Sequence, residues 1–152
     1  MMNRVYRIRF DKSSYELDKD YERFSEQEKL AISSMNPDSF FDFNCTDGKY
    51  SIYLVFSPLD LKKYIGILEN NLIWHDIADL SDGIMLCDLS LEEEIRPYVN
   101  PLNRFRWNSY KKKLDEWIYQ NLDIDFVLDR ISRCGGVCNL RPVEKRFLNE
   151  FQ

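Results

Sequence analysis

With 152 residues, 44% of them hydrophobic and 14% aromatic, the chain can bury a core without disulfides. Its net charge of −5 is unevenly spread: residues 1–34 balance seven Lys/Arg against seven Asp/Glu, residues 35–100 carry four against twelve, and residues 101–152 carry ten against seven. An acidic middle argues against wholesale binding of a phosphate backbone, which needs a continuous basic footprint, and suits a basic partner better.

Residues 4–10 (RVYRIRF) alternate, with Tyr6, Ile8 and Phe10 on one face, and read as a strand. Residues 11–24 are charged, hold few strand formers and suggest no element. Ser25 and Glu28 form a capping box that opens a helix to about Met35, where Asn36-Pro37 ends it. FFDFNC, a Thr46-Asp47-Gly48 turn and KYSIYLVF give the best hairpin signal in the chain. Period-2 alternation places Ile52, Leu54 and Phe56 on one buried face; burial of Tyr53 and Val55 as well would mean a sheet covered on two sides. Ser57-Pro58 starts a helix with the stripe Leu61, Tyr64, Ile65 and Leu68, ended by Asn70-Asn71. Leu72–Ile77 (LIWHDI) reads as a strand, and IMLCDL after Ser81-Asp82-Gly83 as a further one. The order strand, helix, strand, strand, helix, strand predicts an α+β fold with a split βαβ, ferredoxin-like sheet.

From Ser90 onward the pattern is helical. Ser90 with Glu93 forms a capping box before LEEEIRPYV, which Pro97 must end or kink. Asn100-Pro101 opens a long helix to Leu122, with Trp107, Tyr110, Leu114, Trp117 and Ile118 on its core face. Phe105, Lys112 and Tyr119 lie on the opposite face at seven-residue steps. That outward aromatic-basic stripe is expected to meet a partner, a second copy of the chain, or the chain's own C-terminal helices. Asp123 caps a helix through Ile131, stopped by Gly135-Gly136, and Pro142 opens the last one. The expected organisation is a sheet-containing part over residues 1–88 and a helical part over residues 89–152 packed on it, one compact domain overall.

The segment IDIDFVLDRISRCGGVCNLRPVEKRFLNEF resembles a short helical-hairpin tail found at the C-terminus of various bacterial proteins, some rhomboid-type membrane proteins among them. Asp125, Leu128, Asp129, Ile131, Ser132, Gly135, Pro142, Glu144, Phe147 and Leu148 sit in comparable places. Arg141 departs from the usual Ser or Thr cap, and the GGVC loop carries an extra cysteine. The resemblance covers about thirty residues and implies a packing or docking module, with no reaction attached.

Four cysteines, Cys45, Cys87, Cys134 and Cys138, are present. Cys134 and Cys138 have a spacing open to zinc or a disulfide, but a closed zinc site needs four ligands, and only Cys45, Cys87 and His75 remain. Idle reduced thiols and no metal are the expectation. His75, the single histidine, lies beside Asp76; a strand histidine is favoured over a catalytic pair. Asp76, Asp79 and Asp82 lack the alternation of a calcium loop and read as an acidic turn. Glu92, Glu93 and Glu94 suit the positive end of a helix. Five positive charges between Pro101 and Lys113 leave nucleic-acid binding a weak reading, and no glycine-rich phosphate loop is seen. No run approaches the roughly 18 apolar residues of a membrane helix, and the opening residues lack a signal-peptide core. The expectation is a small acidic cytoplasmic binding protein without cofactor and not an enzyme. It would inhibit or neutralise another macromolecule, as immunity proteins, antitoxins and phage inhibitors do. Its partner would be a basic protein, met through Phe105, Lys112, Tyr119, Asp76, Asp79 and Asp82, and self-association is open. An adaptor docking through its C-terminal hairpin and an enzyme using His75 are the alternatives.

Overall fold

The computed structural model describes residues 3–102 and 104–151, the side chains of Phe105 and Trp107 excepted. Its elements are β1 (Arg4–Phe10), α1 (Ser14–Glu22), α2 (Glu26–Ser34), β2 (Asp38–Asn44), β3 (Tyr50–Phe56), α3 (Pro58–Asn70) and β4 (His75–Asp79), followed by α4 (Ser81–Met85), α5 (Leu91–Ile95), α6 (Arg104–Gln120), α7 (Ile124–Cys134) and α8 (Pro142–Glu150). The chain divides into two compact units, residues 1–107 and 108–152.

In the first unit the strands pair antiparallel in the order β2-β3-β1-β4. This is the split βαβ, ferredoxin-like order that the sequence predicts. Tyr6, Ile8 and Phe10 of β1 share a face with Tyr50, Leu54 and Phe56 of β3, and this face packs on Leu17, Phe24, Leu61 and Leu68 from the helices. Ile52 is half-buried against the same cluster.

The other face is buried too: Val5, Phe41 and Tyr53 have no exposed surface. The sheet is therefore covered on both sides, and alternation alone could not choose a single inner face for β3. On this second face Arg7 and Tyr53, opposite one another across β1 and β3, both bind Glu94 of α5. Arg7 pairs with its carboxylate, and Tyr53 Oη donates to Glu94 Oε1 at 2.6 Å. Burial above all, then the hydrogen bond to Glu94 and its charge, pushes the Tyr53 phenol far above its ordinary value. Leu91 and Ile95, one turn apart, are buried beside this knot. Strands thus stop before residue 88, as expected, while α5 and the 3-10 turn Arg96–Tyr98 still belong to the sheet-containing unit.

Several local expectations are corrected. Residues 14–22 form α1, held by a second capping box of Ser13 with Glu16; only Leu17 of this helix is fully buried, so its apolar stripe is too thin to read against the charges. The expected strand LIWHDI begins at His75, because Leu72 and Ile73 finish α3. Leu72 N–H bonds Glu69 O at 3.1 Å and Ile73 N–H bonds Leu68 O at 2.9 Å, the paired bonds of a left-handed helix end. IMLCDL supplies no strand. Ser81, fully buried, accepts a hydrogen bond from Val5 N–H at 2.8 Å and turns the chain into α4, which ends at Cys87 in the same left-handed geometry. The long helix starts at Arg104 rather than Pro101, since Asn100 Oδ1 accepts from Leu102 N–H in a turn that precedes it.

In the second unit, α6 buries Tyr110, Trp117 and Ile118 and half-buries Leu114, as its period predicts. Asp123 Oδ1 accepts from Phe126 N–H at 2.7 Å to start α7, and Gly135 at φ +87° ends it. Across the α7–α8 hairpin, Arg130 Nε donates to the fully buried Glu144 at 3.0 Å. Arg141, standing where a Ser or Thr cap was expected, reaches the same carboxylate at 3.1 Å. Every element after Ser90 among the described residues is helical.

Candidate partner-binding edge

β4 lies at one margin of the sheet, paired only with β1 among the described residues. Leu80 N–H donates to Val5 O at 2.8 Å, which fixes the phase of the ladder. Hydrogen-bonded and non-bonded pairs alternate along antiparallel strands, so Asp76 and Ala78 direct their backbone groups at β1. His75, Ile77 and Asp79 direct theirs outward. A margin of this kind is a template for another strand unless something blunts it.

The approach to that margin is apolar and strained. Leu72 is 93% exposed and Trp74 53% exposed. Leu72 has φ +57° and Cys87 φ +61°; they are the non-glycine residues with positive φ among the described residues, and they flank the β4–α4 segment on either side. Left-handed backbone is disfavoured for both side chains, and strain of this sort gathers at functional segments.

The three predicted aspartates have different fates. Asp79 and Asp82 both bind Arg4, Asp82 Oδ1 at 3.1 Å from Nη2. Burial raises the Asp79 carboxyl, but the hydrogen bonds from Arg4 and from Ser81 N–H outweigh it and hold it below its ordinary value. Asp82 keeps 80% of its side chain in solvent. Asp76 is exposed and lies on the opposite face of β4 from its neighbour His75. Adjacent strand residues point apart, so Asp76 does not orient His75, whose Nδ1 sits 3.1 Å from Ile73 O instead.

The other predicted residues belong to α6. Lys112 is exposed on α6. Tyr119 is half-buried within its own unit: its ring meets Phe147 edge-on at 5.6 Å, Arg146 lies over it at 4.3 Å, and its hydroxyl binds Glu150. The side chain of Phe105 lies outside the described residues. The cysteines are free, and no metal-binding group of His, Cys, Asp or Glu is found among the described residues. No helix there is long and apolar enough to cross a membrane. Residue patterns missed Leu72, Trp74 and Arg4; only the coincidence of a strand with the preceding helix end would have drawn attention to the first two. Comparison with known families, curated proteins and solved structures finds no match.

Proposed function

We propose that the protein is a small acidic binding protein that occupies, and so inhibits or neutralises, a basic protein partner. The partner adds an extended segment to the outer margin of β4. The supporting observation is the outward backbone of His75, Ile77 and Asp79, set between the exposed Leu72 and Trp74 and the carboxylates of Asp76 and Asp82. Main-chain bonds would give such a complex its register, and alternate side chains its selectivity. Trp74 supplies the kind of aromatic anchor on which binding energy concentrates. The α7–α8 hairpin favours the adaptor reading less, because Arg146, Phe147 and Glu150 of α8 are engaged with Tyr119.

The test is selection of displayed random peptides on the immobilised protein. Enriched peptides should alternate Lys or Arg with apolar residues, and their amide shift changes should fall on β4. Trp74→Ser combined with Asp76→Lys should abolish binding. Enrichment of acidic or sequence-indifferent peptides, or binding that the double variant leaves intact, refutes the reading.

A further inference from the structure

Between the sheet and α1–α3, within the first unit, lies a cavity of about 410 Å³. That volume is within the range of pockets that take small organic molecules. Ile8, Ile52 and Leu54 supply apolar lining from the sheet, and Tyr21, Tyr50 and Tyr64 also line it. Two carboxylates line it, Asp18 and Asp42, and no Lys, Arg or His among the described residues does.

The two carboxylates are not equivalent. Asp42 already accepts from Tyr50 Oη at 2.7 Å and pairs with Arg106. Asp18 is exposed on α1 and makes no ion pair among the described residues. The neighbouring lysines are engaged elsewhere, Lys12 with Asp20 and Lys19 at 4.4 Å over the Tyr15 ring. The Tyr21 and Tyr64 hydroxyls bond each other, a pair that retains one further hydrogen and free lone pairs for a ligand.

We propose that this cavity binds a small hydrophobic amine, with its apolar body on the Ile8–Ile52–Leu54 lining and its ammonium group between Asp18 and the tyrosines. An ammonium group donates three hydrogen bonds, which suits a carboxylate and phenol oxygens, and it is attracted to tyrosine ring faces. A carboxylate of the same shape would meet Asp18, and the cation beside the cavity, Arg106, is already paired with Asp42. This pocket is separate from the β4 margin, and either proposal can fail without the other.

The experiment titrates the whole protein with phenylbutylamine and, in parallel, phenylbutyrate, by calorimetry and by amide shift mapping. The amine should bind with shifts on α1, α2 and β3, and the acid should not bind under the same conditions. Asp18→Asn, an exposed change that leaves the core intact, should weaken the amine about fivefold, the scale of one solvent-accessible ion pair. Ile32→Trp, which fills the cavity from α2, should abolish binding while circular dichroism stays unchanged. Equal binding of amine and acid, an unaltered affinity in Asp18→Asn, shifts confined to Asp76, Asp79 and Asp82, or no binding of the amine overturns the proposal.

Discussion

Leu72→Gly should make the protein more stable. Leu72 occupies the left-handed position at the end of α3 with φ +57°, where its N–H and that of Ile73 close the helix onto Glu69 and Leu68. That conformation costs an L-residue roughly 1–2 kcal/mol, and glycine none. Glycine returns about 0.4–1 kcal/mol of this by enlarging the unfolded ensemble. Burial scarcely enters, because the leucine is 93% exposed. The net gain is therefore about 0.5–1 kcal/mol, which for a chain of this size raises the melting temperature by about 2–4 °C for each kcal/mol. Urea unfolding should show a higher midpoint with an unchanged slope, the mark of altered stability without altered compactness. A lower midpoint would show that the leucine packs on something that holds it there. The same variant should bind a β4-directed peptide more weakly, because an exposed apolar anchor has been removed.

Three further outcomes are expected. Burial raises the Glu144 carboxyl, yet the hydrogen bonds from Arg141 and Arg130 outweigh it and hold it below the ordinary value of 4.5. Its stabilisation is thus complete above about pH 4.5 and fades as pH falls through the lower folded value, so Glu144→Gln should flatten acid unfolding monitored on α7–α8. Tyr53→Phe removes a hydrogen bond to the Glu94 carboxylate and should cost roughly 1.5–3 kcal/mol in urea unfolding; a neutral result would show that Arg7 alone holds Glu94. Replacing all four cysteines by serine should leave the melting temperature within about 2 °C, the scale of substitutions away from packed features, and chelator should not alter it in the native chain. Chelator-induced unfolding of the native chain would make Cys134 and Cys138 metal ligands.

The fold was legible where periodicity and capping act locally. The β2–β3 hairpin follows from Asp47-Gly48 between apolar runs, and Ser25, Ser57 and Asp123 cap the helices they precede. What the sequence hid depends on partners distant in the chain. The strand-like run IMLCDL forms the end of a short helix and a turn because Ser81 meets Val5, seventy-six residues away in sequence. Glu94 looked like one of three carboxylates suited to a helix start, and its role follows only from Arg7 and Tyr53 facing it across the sheet. Tyr119 shows a choice that pattern leaves open. Helical period sets it opposite Tyr110 and Trp117 without choosing among a partner, a second copy and the C-terminal helices, and α8 folds back onto it.

The same separation between local pattern and distant partner decides how Asp76 and Asp79 should behave in binding. Asp79 spends its charge on Arg4, so Asp79→Asn should chiefly loosen the start of β1 and the turn into α4. Asp76 is exposed, lies on the sheet face opposite α1–α3 and has backbone groups committed to β1. Its carboxylate is then free to attract a cationic segment from a distance and contributes little to holding it. Charges at the rim of an interface act mainly on the rate of encounter, and buried aromatics on the rate of escape. Stopped-flow measurements with a selected basic peptide should therefore divide the two effects. Asp76→Asn should slow association several-fold at low salt and reduce its salt dependence, with dissociation nearly unchanged. Trp74→Ala should leave association within about twofold and speed dissociation at least tenfold, as expected of an anchor worth more than 1.4 kcal/mol. If Asp76→Asn changed dissociation instead, the carboxylate would lie inside the contact, and the segment would cover the sheet face instead of extending its margin.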